Sequence, residues 1–206
     1  YGDNRIISHS ILNQPGISMV LFAMDEEEEI SEETEPEAGW IRVLEGTLQA
    51  AICGEGFVVG EGSDILIPPN EPHALKALGR CKYLQISIGV DSIMEHGTFI
   101  KKIPVRQVVG LSDLIEYEPH KISSISLVQK KDLTISLFSL DQGEEMGGHA
   151  SEGDAMVQIL EGTAEITIGD KPYLVEAGQS IIMPANIRHS LKAVKPYKML
   201  LTVVKP

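Results

Sequence analysis

Apolar positions along this chain fall in short stretches, not in long helical periods. Ile17–Met24, Trp40–Leu44, Leu48–Ile52, Ile65–Ile67 and Tyr83–Ile88 are rich in Val, Ile, Leu and Thr, and several alternate in polarity. A period of two is the mark of a strand with one face buried. Turn-forming residues separate the stretches: EG at 45–46, GEG at 54–56, GEG at 60–62 and PPNEP at 68–72. The scheme returns later as ITI (166–168), a GDKP turn (169–172), YLVEAG (173–178) and SIIMPAN (180–186). Many short strands at close spacing predict an all-β sandwich or barrel, not βαβ units. Between the two sets, at about 91–120, the text VRQVVGLSDLIEYEP predicts a short helix. It runs from Ser112, as N-cap, to Tyr117, with Pro119 as its terminator, and is expected to pack outside a barrel.

The two sets are copies of one unit. Gly46 of VLEGT matches Gly162 of ILEGT at an offset of 116, and Gly62 matches Gly178, and His73 matches His189, at the same offset. Segment 43–77 aligns with 159–193 without a gap, with 14 identities in 35 positions. The match runs backward: ISMVLFAMD (17–25) meets LTISLFSLD (133–141), and RIISHS (5–10) meets KISSIS (121–126). A constant offset over this length indicates duplication. The expected organisation is one barrel over 1–92, a connector with its short helix over 93–120, and a second barrel over 121–206.

Both copies carry a glycine, five residues, a proline, and a histidine five positions after that proline: Gly62, Pro68, His73 and Gly178, Pro184, His189. This pattern resembles the second motif of the cupin superfamily, and the likeness covers most of both halves. It implies tandem jelly-roll barrels (double-stranded β-helices), each with its motif histidine pointing inward. The family's first motif is His-x-His, three or four residues, Glu, six residues, Gly. Counting back from Gly162, His149 matches, whereas Ser151 and Ala155 stand at the second His and the Glu positions, with Asp154 one residue early. Counting back from Gly46, the same places hold Glu33, Glu35 and Gly39. The wording HASEGDAMVQILEG, AEITIG and IIMPANIRHSLKA is similar to small bacterial two-barrel cupins of mostly unassigned activity.

The resemblance implies a site in the second barrel. His149 and His189 are placed to hold a divalent transition metal (Zn, Ni, Fe, Mn or Cu), with waters or substrate in open positions. Asp154 is the candidate third donor, although strand alternation puts it on the face opposite position 155, so it needs a bulge to reach inward. Ser151 is expected in the ligand pocket, and Gln158 is expected to face away from the lumen. The competing reading makes both histidines hydrogen-bonded pocket residues in a metal-free barrel. In the first barrel, Glu33, Glu35 and His73 form either a ligand pocket with oxygen donors for a hard cation or the remains of a decayed site. His9, His96 and His120 lie outside the motif positions and read as surface or packing residues. Trp40 reads as core or interface.

Charge narrows the partners. The net charge of −13 argues against a nucleic-acid partner, which needs clustered Lys and Arg. Nine of the acids crowd into residues 25–37, which reads as a solvated loop or, less simply, a dock for a basic protein. An apolar share of 43% is ordinary for a chain with a core. No apolar run approaches the ~18–20 residues of a membrane span, and no basic-then-apolar leader follows Tyr1. Cys53 and Cys81, outside any CxxC, read as reduced thiols of a cytoplasmic protein, with a disulfide left open. No Ser/His/Asp or Cys/His nucleophile pattern and no phosphate-cradling glycine loop stands out. Exposed sheet edges and apolar outer faces suggest pairing between the two barrels or across a homodimer. The functional expectation is a small-molecule-binding bicupin, either a metal-dependent isomerase, decarboxylase or dioxygenase, or a non-catalytic sensing or structural module without metal.

Overall fold

The computed structural model describes residues 1–89 and 103–205. The expected 92/93 boundary and His96 lie outside the described residues. The chain divides into two compact units, Tyr1–Gly110 and Leu111–Pro206.

The first unit opens with β1 (Ile6–Gln14), β2 (Ile17–Met24), β3 (Glu29–Thr34), β4 (Ala38–Glu45) and β5 (Thr47–Ile52). It continues with β6 (Glu55–Gly60), β7 (Ser63–Ile67), β8 (Pro72–Ala77), β9 (Cys81–Ile88) and β10 (Val109–Gly110). These strands form a six-stranded sheet in the order β1-β2-β9-β4-β7-β10 and a four-stranded sheet in the order β3-β8-β5-β6. The described strand pairings are antiparallel, and the two sheets enclose Met24, Ile41, Leu48, Ile52, Ile65 and Tyr83.

The second unit repeats the plan. Its strands are β11 (Ile122–Gln129), β12 (Leu133–Leu140), β13 (Glu145–His149), β14 (Asp154–Glu161) and β15 (Thr163–Ile168). After them come β16 (Lys171–Glu176), β17 (Ser180–Met183), β18 (His189–Ala193) and β19 (Tyr197–Val204). The sheet orders are β11-β12-β19-β14-β17 and β13-β18-β15-β16, around Leu140, Val157, Ile166, Met183, Tyr197 and Met199. Even the irregularities recur at the offset of 116. Register shifts at Ser10/Leu12, Ile30/Glu33 and Val43/Glu45 return at Ser126/Val128, Met146/His149 and Ile159/Glu161. Tandem jelly rolls, expected from the family resemblance, are what the chain forms.

Two local expectations are corrected. The acidic block is not a continuous loop: Glu29–Thr34 is strand β3, largely exposed at the edge of its sheet. Acids are tolerated there because an edge strand turns much of its surface to water. The short helix from Ser112 to Tyr117 is instead a 3-10 turn at Leu111–Leu114. Its carbonyls have tertiary partners: Lys198 Nζ donates to Ser112 O at 2.9 Å, and Ser139 Oγ donates to Glu116 O at 2.8 Å. Leu111 and Ile115 are buried beside them. A helix this short has too few internal bonds to outweigh such contacts. Both cysteines are free thiols, Cys53 exposed and Cys81 buried. Trp40 is buried; its indole N–H donates to buried Asp64 at 2.8 Å, and Arg42 pairs with the same carboxylate at 2.9 Å. Among the described residues no helix is long and apolar enough to cross a membrane.

The EG turns show why the repeat keeps its glycines. Gly46 and Gly162 have φ of +78° and +76°, and a Cβ at either would collide with the carbonyl oxygen of Arg80 or Pro196. Gly178 also has positive φ (+82°), but open space surrounds it. We therefore expect Gly162→Ala to cost at least about 2 kcal/mol, through strain and collision together. Gly178→Ala should cost about 1 kcal/mol, from the left-handed conformation alone. Urea denaturation of the two variants checks this; equal losses would contradict it.

Candidate functional site in the second barrel

His149 ends β13 and His189 begins β18, directly across an antiparallel pairing. The two imidazoles meet edge to face, with ring centroids 4.6 Å apart. Each ring is tethered to the backbone two residues earlier: His149 Nδ1 lies 3.0 Å from Gly147 O, and His189 Nδ1 lies 2.9 Å from Ile187 O. A carbonyl oxygen only accepts, so Nδ1 carries the proton in each neutral ring and Nε2 keeps its lone pair. Burial pushes the His189 imidazolium down, the Ile187 carbonyl opposes this, and the neighbouring His149 adds to the lowering. The neutral form of His189, which can act as a ligand, is thereby favoured.

Both histidines line a cavity of about 480 Å³. Its walls are apolar, formed by Met146, Met183, Leu191, Leu201 and Val203, while Ser151, Glu152 and Lys205 add polar groups. The Ser151 hydroxyl accepts from Gly153 N at 3.2 Å, and the Ser151 carbonyl accepts from Asn186 N at 2.8 Å, which ties β13 to the loop before β18. Asp154 is not brought to the pair. Its Oδ1 accepts the Ala185 amide at 2.8 Å and it does not line the cavity. Gln158 is buried, and its Oε1 has no hydrogen-bond partner. Among the described residues no three His, Cys, Asp or Glu side chains are grouped to hold a metal ion. The residues present therefore fit an open two-imidazole position and not a three- or four-ligand one.

The first barrel carries the equivalent geometry with other chemistry. Glu33 stands across from His73 as His149 stands across from His189. His73 Nδ1 lies 3.0 Å from Glu71 O, and its Nε2 is 3.8 Å from Glu33 Oε1. Glu35 takes the place of Ser151, its carbonyl likewise accepting from Asn70 N at 2.8 Å. Burial and the nearby Glu33 raise the Glu35 carboxyl, with His73 pulling the other way. His9 and His120 are exposed, and the His120 amide donates to Asp141 Oδ2 at 2.8 Å. Sequence reasoning missed Lys205 and the apolar wall from β19. Extending the offset to the last strand, 81–89 against 197–205, would have found the wall, but Lys205 aligns with Gly89 and carries no such signal.

Comparison with known proteins agrees with this architecture. Residues 16–115 match the model of the AraC-like ligand binding domain, and residues 136–204 match that of the cupin domain. The chain belongs to the cupin superfamily, as a protein of two such domains. It is similar to a cupin 2 conserved barrel domain protein from Leptotrichia buccalis, with 27% identity and a TM-score of 0.85, covering 100% of this chain and 91% of that one. A conserved protein of unknown function from Streptococcus pyogenes is 50% identical over 53% of this chain and 96% of its own, with a TM-score of 0.52. Salicylate 1,2-dioxygenase from Pseudaminobacter salicylatoxidans shares the fold at 13% identity and a TM-score of 0.68, covering 96% of this chain and 76% of that one. No curated protein matches the chain.

If Asp154 serves the loop and not a metal, Asp154→Ala should lower stability by about 1 kcal/mol, the usual cost of one lost hydrogen bond. Metal uptake by the same variant should equal that of the wild type. Chemical denaturation and metal titration measure the two effects separately; weakened metal binding would make Asp154 a ligand after all.

Proposed function

We propose that the chain is a binding protein for a small organic molecule, which sits in the second-barrel cavity against His149 and His189. The observation that carries this reading is the paired tether. Two imidazoles with Nδ1 committed to backbone carbonyls present fixed Nε2 lone pairs in an otherwise apolar cavity. Met146, Met183, Leu191, Leu201 and Val203 would exclude water from the ligand's body. The Ser151 hydroxyl proton and the Lys205 ammonium would orient its polar end.

The same Nε2 atoms would hold a divalent transition ion, with the remaining positions left to ligand or water. When bound, such an ion supplies Lewis-acid or dioxygen chemistry of the isomerase, decarboxylase or dioxygenase kind. A non-catalytic sensing role is the second reading, favoured by the lack of a third protein donor among the described residues.

Titration with Mn(II), Ni(II) and Zn(II), followed by dialysis and elemental analysis, tests the metal role. The expected result is about one retained equivalent of at least one ion. Affinity should fall in His149→Ala and in His189→Ala by more than the roughly 10–100-fold that loss of an outer-shell partner costs. Metabolites should raise the melting temperature of wild type and not of His189→Ala. Retention unaffected by either substitution would remove the metal role. Stabilisation that persists in chelator would select the sensing reading, and no response to any metabolite or metal would remove the site.

A further inference from the structure

The first barrel has a polar lumen of its own, built where the second barrel is apolar. Residues paired across an antiparallel ladder share a face. Tyr83 is paired with Val43, Gln85 with Ile41 and Ser87 with Gly39, and Ile41 and Val43 belong to the first core. Gln85 and Ser87 thus lie on the lumen side, at the positions where Leu201 and Val203 wall the second cavity. Glu33, Glu35 and His73 stand at the mouth above them.

Three features of this lumen call for a ligand. Tyr83 is fully buried and its hydroxyl has no partner. Burial raises its phenol first, then neighbouring Cys81, and then the charges of Glu33 and Glu35, whereas burial is the sole cause of the shift at buried Tyr197 in the second barrel. Glu35 is half-buried beside a second carboxylate and, among the described residues, makes no ion pair; Glu33 has only His73, at 3.8 Å. Glu33 itself is exposed, so the cost falls on Glu35: a half-buried carboxylate beside a like charge is disfavoured unless a counter-charge arrives.

We propose that the first-barrel lumen binds a small organic cation through a primary ammonium group, held between the Glu33 and Glu35 carboxylates and the Tyr83 hydroxyl oxygen. An ammonium brings one positive charge and three N–H donors, which matches an acceptor-rich site. A neutral polyol would leave the carboxylate charge uncompensated. An inorganic ion is disfavoured because these side chains form no metal-holding group of three among the described residues. The Tyr83 ring stacks on Phe22 with centroids 4.9 Å apart, which fixes the plane of the phenol.

Calorimetric titration of the full chain with methylamine, ethanolamine and putrescine, beside neutral 1,3-propanediol, tests this. At least one amine should bind and the diol should not. Affinity should fall by about tenfold or more in Glu35→Gln and in Tyr83→Phe, each losing one contact to a charged group. It should stay at the wild-type value in Glu32→Gln, which lines an outer groove on the same strand. Tyr83→Phe changes no volume beyond one oxygen, and Glu35→Gln relieves repulsion, so neither variant should melt below wild type. The proposal is overturned if none of the three amines binds at about 20 mM. It is also overturned if Glu35→Gln binds as wild type does, or if Mn(II) or Ca(II) binds at Glu35 in their place.

Discussion

A bulge decides which side chains meet at each barrel mouth. On β13 two residues lie between Met146 and His149, while on β18 only one lies between their partners Leu191 and His189. The extra residue falls at Gly147–Gly148, where backbone freedom makes an uneven pairing easy. Strict alternation from the inward Met146 would set Gly148 across from His189 and turn His149 away. The bulge re-aims His149, and the edge-to-face imidazole contact follows from it. In the first barrel Ser31 and Glu32 occupy the same extra step, so Glu33 meets His73. One backbone irregularity, preserved through duplication, sets both sites.

Given that shared frame, the barrels differ by what fills it. The second barrel combines neutral imidazoles with Met, Leu and Val walls, which suits an apolar ligand body or an ion with open positions. The first has carboxylates, a phenol, an amide and a hydroxyl at the matching places. Buried polar groups persist only where partners satisfy them, so their concentration on one lumen face is a departure from simple core packing. Elsewhere the first unit satisfies its buried charge internally: Asp64 receives Trp40 and Arg42. The corresponding residues of the second unit are Ser180, Met156 and Gln158, and the buried Gln158 oxygen is left without a partner. The two units have therefore placed their polar cost in different locations.

Much of this was legible from residues because the duplication supplied a second reading of every position. The offset of 116 fixed the strands, the turn glycines and both motif histidines, and the repeated register shifts show how far that equivalence extends. What stayed hidden depends on contacts that no local pattern encodes. β3 is an edge strand whose composition resembles a loop, since water on its exposed side places no apolar demand on it. The helical pattern from Ser112 gives way to a 3-10 turn because Lys198 and Ser139, distant in sequence, take its carbonyls. Asp154 could coordinate only if a bulge turned it inward, and the folded loop instead shows its carboxylate bonded to the Ala185 amide.

The tethered histidines carry a consequence for how such sites diverge. In all three cases, His73, His149 and His189, Nδ1 faces a carbonyl two residues earlier. That contact lies within one short segment, so it survives whatever happens to the opposite wall. A barrel can lose one imidazole of its pair, as at Glu33, and still hold the remaining ring with Nε2 directed across the same pairing. The scaffold thus separates the orientation of a ring from the identity of its neighbour. Substitution at the facing position then changes the charge presented to a ligand without disturbing the fold, which is the route by which two copies of one barrel come to present different chemistry.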